Sequence, residues 1–234
     1  MTLPMLMVFL GACSSDDNPS PSGVEPLEIS DAFDGGSLDA EWQVVNGSQF
    51  NMSVSDGRLH IQPTRNCVWY HADTGPLLYK LVEGNFMVTS TVRARKASNP
   101  SEPVGPSYQF GGLMARNPSS SAENYVFNVV GERGGNLSVE TKTTVNGSSN
   151  VKGPPWPSGD AELRICRVDT EFILYKREIG DSSWTEAIRY PRGDMPSTVQ
   201  VGPIAYTYTD NPDLRASFEQ VDFAPVTSEA DCTR

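Results

Sequence analysis

Acid–base cleavage of a glycosidic bond needs two carboxylates held about 5–9 Å apart. Alternate residues of a strand share a face, so such a pair would show as Asp or Glu at i and i+2 or i+4. Within strand-like runs only Asp160 and Glu162 meet that spacing, at the mouth of a strand beside a turn. The two histidines, His60 and His71, have no adjacent Ser or Cys motif to mark a nucleophile. Both points argue against a hydrolase. Binding is better served, because a sugar site combines flat aromatic faces with amides, acids and Arg. Trp69 and His71 flank Tyr70 just before the Gly75-Pro76 turn, and Trp156 stands among the prolines of 153–157, which should push it outward to form a mobile rim. Tyr108 and Arg116 share parity along one predicted strand, and Asn128 and Lys142 on neighbouring strands are expected on the same face. Two plain alternatives stay open: Trp69 as core packing, and Arg116 as the partner of an acid. Trp42 and Trp184 read as core or turn supports, and Arg192-Gly193-Asp194 is too short a tripeptide to signify adhesion.

Besides Cys13, the cysteines are Cys67, Cys166 and Cys232, so any one of three disulfides leaves a cysteine over. Cys166 falls mid-strand and reads as a small buried hydrophobe. No Cys or His spacing suits zinc.

The elements that must carry these residues are strands. Clusters of Gly, Asn, Asp and Pro separate short runs of Val, Ile, Thr, Tyr and Phe, and no long window has a helical period with caps. Strands are predicted over 58–62, 85–93, 108–116, 125–130, 137–145, 162–168, 172–176, 201–208 and 214–223. The fold class that follows is all-β, a two-sheet antiparallel β-sandwich of jelly-roll type spanning residues 25–225, with 226–234 as a C-terminal tail. The 234 residues carry a net charge of −11, which excludes nucleic acid and direct docking on anionic lipid.

The N-terminus has its own logic. The apolar run Leu6–Leu10 is too short to span a bilayer but suits a secretion signal. Leu10-Gly11-Ala12-Cys13 resembles the lipobox of bacterial lipoproteins, although no Lys or Arg precedes the run. That resemblance implies a signal peptide over 1–12, lipidation at Cys13 and a membrane attachment through the lipid anchor alone. Residues 13–24, rich in Ser, Asp and Pro, are expected to be a disordered tether. Ser14 and the Ser15-Asp16-Asp17 cluster resemble signals for the outer membrane and for surface exposure.

The domain carries a second resemblance. Asp31-Ala32-Phe33-Asp34-Gly35-Gly36-Ser37-Leu38-Asp39-Ala40-Glu41-Trp42 resembles the opening of concanavalin-A-like lectin and glucanase domains. Trp69, the stretch 75–86, Gly112-Leu113-Met114-Ala115-Arg116, Leu137-Ser138-Val139 and Leu163-Arg164-Ile165 resemble the enolase-regulation-type domain of unknown function, which is similar to C-terminal domains of some β-xylosidases. Ala115, Glu162 and the long insert 97–107 depart from that pattern. The Glu-x-Asp-x-x-Glu signature of related glucanases is absent. The resemblance implies a structural calcium held by Glu28, the Gly57 carbonyl and Asp222, a chemically apt set of hard oxygen ligands. Gly180-Asp181-Ser182-Ser183-Trp184 resembles a sialidase Asp-box, where the motif braces a turn. The leading expectation is an envelope-anchored lipoprotein that binds a glycan without cleaving it. The alternatives are a structural or partner-binding lipoprotein with no sugar site, and a glycoside hydrolase.

Overall fold

The computed structural model describes residues 29–70, 73–119 and 122–234. Among these, the strands are β1 (Gln43–Val45), β2 (Phe50–Ser55), β3 (Arg58–Pro63), β4 (Leu77–Glu83) and β5 (Phe86–Arg95). Next come β6 (Gln109–Arg116), β7 (Tyr125–Arg133), β8 (Asn136–Val145), β9 (Ser148–Lys152) and β10 (Asp160–Val168). The last are β11 (Glu171–Arg177), β12 (Thr185–Pro191), β13 (Thr198–Thr207), β14 (Arg215–Phe218) and β15 (Asp222–Pro225). They form two antiparallel sheets. Seven strands pair in the order β1-β4-β13-β6-β7-β8-β9; eight make up the other sheet, ordered β12-β11-β10-β5-β14-β3-β2 with β15 also on β5. The fold is a β-sandwich.

Side-chain parity explains the packing. Leu113 and Ala115 of β6 and Val126 and Val130 of β7 point between the sheets, against Val88, Val92, Leu163 and Phe218. The opposite parity, Phe110, Met114, Tyr125, Phe127 and Val129, is also apolar and forms a second cluster on the outer face of the seven-stranded sheet. A third cluster, with Met87, Ile173, Tyr175 and Val226, lies on the outer face of the eight-stranded sheet. A strand buried on both faces loses its alternation and reads as a continuous apolar run.

Three expectations need correction. Cys166 is not a lone hydrophobe: it forms a disulfide with Cys232, and among the described residues Cys67 is the free, buried cysteine. Residues 226–234 pack rather than trail. Val226 is buried, Ser228 and Asp231 cap a 3-10 helix over Glu229–Thr233, and Arg164 donates to the Cys232 carbonyl at 2.6 Å. Asn128 pairs with Leu113 in register, which turns it into the core, where its amide donates to the Tyr175 carbonyl at 2.7 Å. It therefore does not share a face with Lys142, which pairs with the outward Phe127.

Candidate functional site

A cavity of about 300 Å³ opens on the outer face of the seven-stranded sheet. Four tyrosines, Tyr70, Tyr108, Tyr206 and Tyr208, supply its rings; Arg133, Glu140 and Lys142 supply its charges, and Val151 adds an apolar patch. β8 places Glu140 and Lys142 at alternate positions, β13 and its extension do the same for Tyr206 and Tyr208, and β7 ends at Arg133. Tyr70 and Tyr108 come from loops.

Glu140 is buried and accepts from the Tyr206 hydroxyl at 2.8 Å and from Arg133 at 2.5 Å. Burial raises its pKa, against the pull of Tyr206, Arg133 and Lys142. Lys142 is equally enclosed. Its ammonium donates to the Trp69 carbonyl and lies 4.5 Å from the Tyr70 ring centre, 5.2 Å from Phe127 and 5.6 Å from Tyr125. Burial lowers its pKa to about 8, with Glu140 pulling the other way. The cation is thus held by ring faces and one carbonyl, which also accepts from the Tyr125 hydroxyl.

Tyr108 has a backbone φ of 53°, a left-handed conformation that a bulky residue adopts only when held there. Glu132, itself buried, does the holding. One carboxylate oxygen accepts from the Tyr108 amide at 3.0 Å and the other from the Gly135 amide. The Tyr108 ring meets Tyr208 edge-on at 5.8 Å.

Of the residues singled out in the sequence, Tyr70, Tyr108 and Lys142 meet at this cavity. Trp69 lies beneath it, 1% exposed, its indole donating to the Pro76 carbonyl at 3.3 Å and meeting the Tyr125 ring at 5.6 Å. A Cβ on Gly75 would collide with that indole. Trp69 is packing, and what it lends the site is its backbone carbonyl. Arg116 shares Tyr108's face, but eight residues of strand put them roughly 26 Å apart. It forks onto Glu123 at 2.6 and 2.8 Å and donates to Gln200 at 2.7 Å. Trp156 packs against the main core, donates to the Asp160 carbonyl at 2.8 Å and lies under Lys176, away from the tyrosines. It does not rim the tyrosine cavity. Gly57 sits in the β2–β3 turn and Asp222 on β15 opposite Thr89; among the described residues no three His, Cys, Asp or Glu side chains gather around a metal-sized space. Cys13, Glu28 and His71 lie outside the described residues. Asp160 is ion-paired with Arg93 and Arg95, and Glu162 with Arg177, all on the other sheet. In the Asp-box-like turn, Trp184 stacks on Arg164 and Arg177, and Arg192 of the tripeptide is buried on Asp194 and the Tyr125 carbonyl.

Sequence reasoning missed Glu140, Arg133, Tyr206 and Tyr208. The signal present was Glu140 two residues before Lys142, and Tyr206 two before Tyr208, each pair sharing a strand face.

No family model and no curated protein matches this chain. Solved structures do. A functionally unknown protein from Saccharomyces cerevisiae aligns with a TM-score of 0.68 at 15% identity, covering 81% of this chain and 98% of its own. A glycoside hydrolase family 43 protein from Bacillus licheniformis aligns at 0.68 and 14% identity over 85% of this chain, which spans only 39% of the hydrolase. A pseudo β-1,3-glucanase of Mycobacterium tuberculosis aligns at 0.57 and 12% identity, covering 87% and 100%. What they share with this chain is the β-sandwich fold.

Proposed function

We propose that this chain is an envelope-anchored, non-catalytic carbohydrate-binding module of the concanavalin-A-like, enolase-regulation type, and that the tyrosine-walled cavity is its site. The observation that carries the reading is the company Tyr70, Tyr108 and Tyr208 keep. They are three of the exposed large hydrophobic residues, and all line one cavity with an ion pair between the buried Glu140 and the part-exposed Arg133. Rings of this kind stack on the apolar face of a sugar while fixed polar groups meet its hydroxyls. Among the described residues Glu140 is the one carboxylate in the lining, and it is already engaged by Tyr206 and Arg133, which favours binding over two-carboxylate hydrolysis. The fold likeness to glycoside hydrolases is compatible with a carbohydrate role but is shared by proteins of many functions.

The anchoring half of the proposal rests on Leu10-Gly11-Ala12-Cys13. A disulfide between Cys166 and Cys232 supports export, since such bonds persist in oxidising compartments. Radiolabelled fatty acid is expected to enter the wild type and not Cys13→Ser; equal labelling refutes the anchor.

A glycan array on the tether-free domain, followed by calorimetry on hits, tests the binding half. Affinity is expected between millimolar and micromolar, about −4 to −8 kcal/mol. Tyr108→Ala and Tyr208→Ala should each weaken it without unfolding the domain. An empty array, or binding indifferent to both changes, leaves the structural or partner-binding alternative in possession.

A further inference from the structure

The eight-stranded sheet turns a second constellation outward. β3, β14 and β5 are neighbours, and register aligns His60, Ser217 and Arg93 in one row across them, with Arg215 beside Arg95 in the next. These side chains line a cavity of about 450 Å³, walled on one side by Pro100 and Ser101. Both belong to the 97–107 insert that departs from the resembled domain. The insert is fastened down: Ser98 donates to Asp213 through its amide at 2.8 Å and its hydroxyl at 2.7 Å, and Pro103 bridges to Arg95.

In a chain of net charge −11, this cavity concentrates four guanidiniums, those of Arg58, Arg93, Arg95 and Arg215. Glu219 pairs with Arg58 at 2.9 Å and with Arg93 at 2.8 Å, while Asp160 serves Arg93 and Arg95. Asp56 is in the lining. Arg215 makes no ion pair with any described residue. Three donors are left over: Nε of Arg58, Nε of Arg215 and Nε2 of His60 are buried without a hydrogen-bond partner. His60 is 4% exposed, and its Nδ1 lies 2.8 Å from the Ser217 hydroxyl. With Ser217 donating to Nδ1, Nε2 carries the hydrogen and becomes another donor. Orphaned buried donors are rare in folded proteins and point to something unfilled.

We propose that this cavity is a second binding site, separate from the tyrosine cavity, for a tetrahedral oxyanion: a phosphate or sulfate group on a small molecule. Its arginines and His60 line it from three strands, an arrangement that suits oxygens disposed tetrahedrally better than the two coplanar oxygens of a carboxylate. The overall negative charge repels an extended polyanion, so the ligand is a single anionic group.

Inorganic phosphate and inorganic sulfate titrated into the intact domain test this, with acetate as the planar control and the His60 ring signals followed by NMR. The expected result is a saturable shift with both tetrahedral ions, acetate about tenfold weaker or more, and a loss of about tenfold or more in Arg215→Gln. Ser101→Trp, which fills the cavity from an exposed loop, should abolish the shift even where Arg215→Gln melts early. Tyr108→Ala should leave phosphate binding intact, so failure of the sugar site and failure of this one are distinguishable. Glucose 6-phosphate and phosphatidylglycerol vesicles separate a soluble ester from a lipid headgroup, and binding of the former is expected. No His60 shift with either ion at millimolar concentration overturns the proposal. So do acetate binding as tight as phosphate, both variants binding like wild type, or Arg215-dependent capture of vesicles without glucose 6-phosphate binding.

Discussion

Lys142 shows what burial does to a single charge. Its pKa is lowered to about 8 from the ordinary 10.5, chiefly by desolvation. The folded protein therefore gives up this proton more readily than the unfolded chain does. The associated cost is complete below pH 8, shrinks as pH rises, and is gone above 10.5. Lys142→Met keeps the aliphatic body and should abolish that dependence. Urea melts at pH 7 and pH 10.5 should show the wild type gaining up to about 3 kcal/mol relative to the variant. Trp69 makes the opposite case, an aromatic buried to 1% exposure. Trp69→Ala should cost about 3–5 kcal/mol in chemical denaturation, and a loss under 1 kcal/mol would contradict its packing role. At this scale the sequence was legible where parity alone decides, as for Tyr108 and Lys142. It was silent on Glu140, because a search for paired carboxylates passes over one whose partners are a tyrosine and an arginine on other strands.

Among the elements, most central strands declared themselves, while the interior β4 and the edge strands did not. β5, β6, β7, β8, β10 and β11 fall within a few residues of their predicted spans. β1, β9 and β12 are edge strands with mostly exposed side chains, so no buried face imposes an alternation to read. The predicted strand over 214–223 is two strands, β14 and β15, which pair with different halves of β5. Asn128 was assigned to the wrong face because register, unlike parity, depends on which residue a partner strand offers. The C-terminal segment was unreadable as structure because a disulfide and the outer face of a distant strand hold it. Cys166 and Cys232 are 66 residues apart, and closing a loop of that length restricts the unfolded chain by about 4 kcal/mol. Cys232→Ser should lower stability by up to that amount, with Cys166→Ser matching it. Protease cleavage should then begin near residue 226.

For the whole molecule, strand-and-turn punctuation sufficed to predict a sandwich. The aromatic layer outside the seven-stranded sheet was not foreseen, because apolar residues of either parity look alike in sequence. The two cavities lie on the outer faces of opposite sheets, so ligands for them should bind without competition. Calcium remains a proposal at this scale, resting on Glu28, Gly57 and Asp222. A ligand bound only to the folded state adds about 2.7 kcal/mol at 100-fold excess over Kd. Thermal melts in chelator and in millimolar calcium should differ, and Asp222→Ala should erase the difference; identical melts for the wild type would remove the ion from the account.

Ser30 exchanges hydrogen bonds with Phe223, and Asp31 forms a two-way bridge with Val221. The Asp31 carboxylate also accepts from the Trp42 indole at 2.7 Å. A pull applied at residue 29 therefore loads the last strand before it loads either sheet interior. Beyond that strand the chain is stapled covalently to β10 through Cys232. Tension entering at the front of the domain is handed to its back, where a covalent bond joins that end to the middle of the eight-stranded sheet. A sandwich wired in this way passes load from the seam at residues 30–31 through β15 to its neighbour β5, the strand that carries Arg93 and Arg95 of the arginine cavity, while the tyrosine cavity stands on the other sheet.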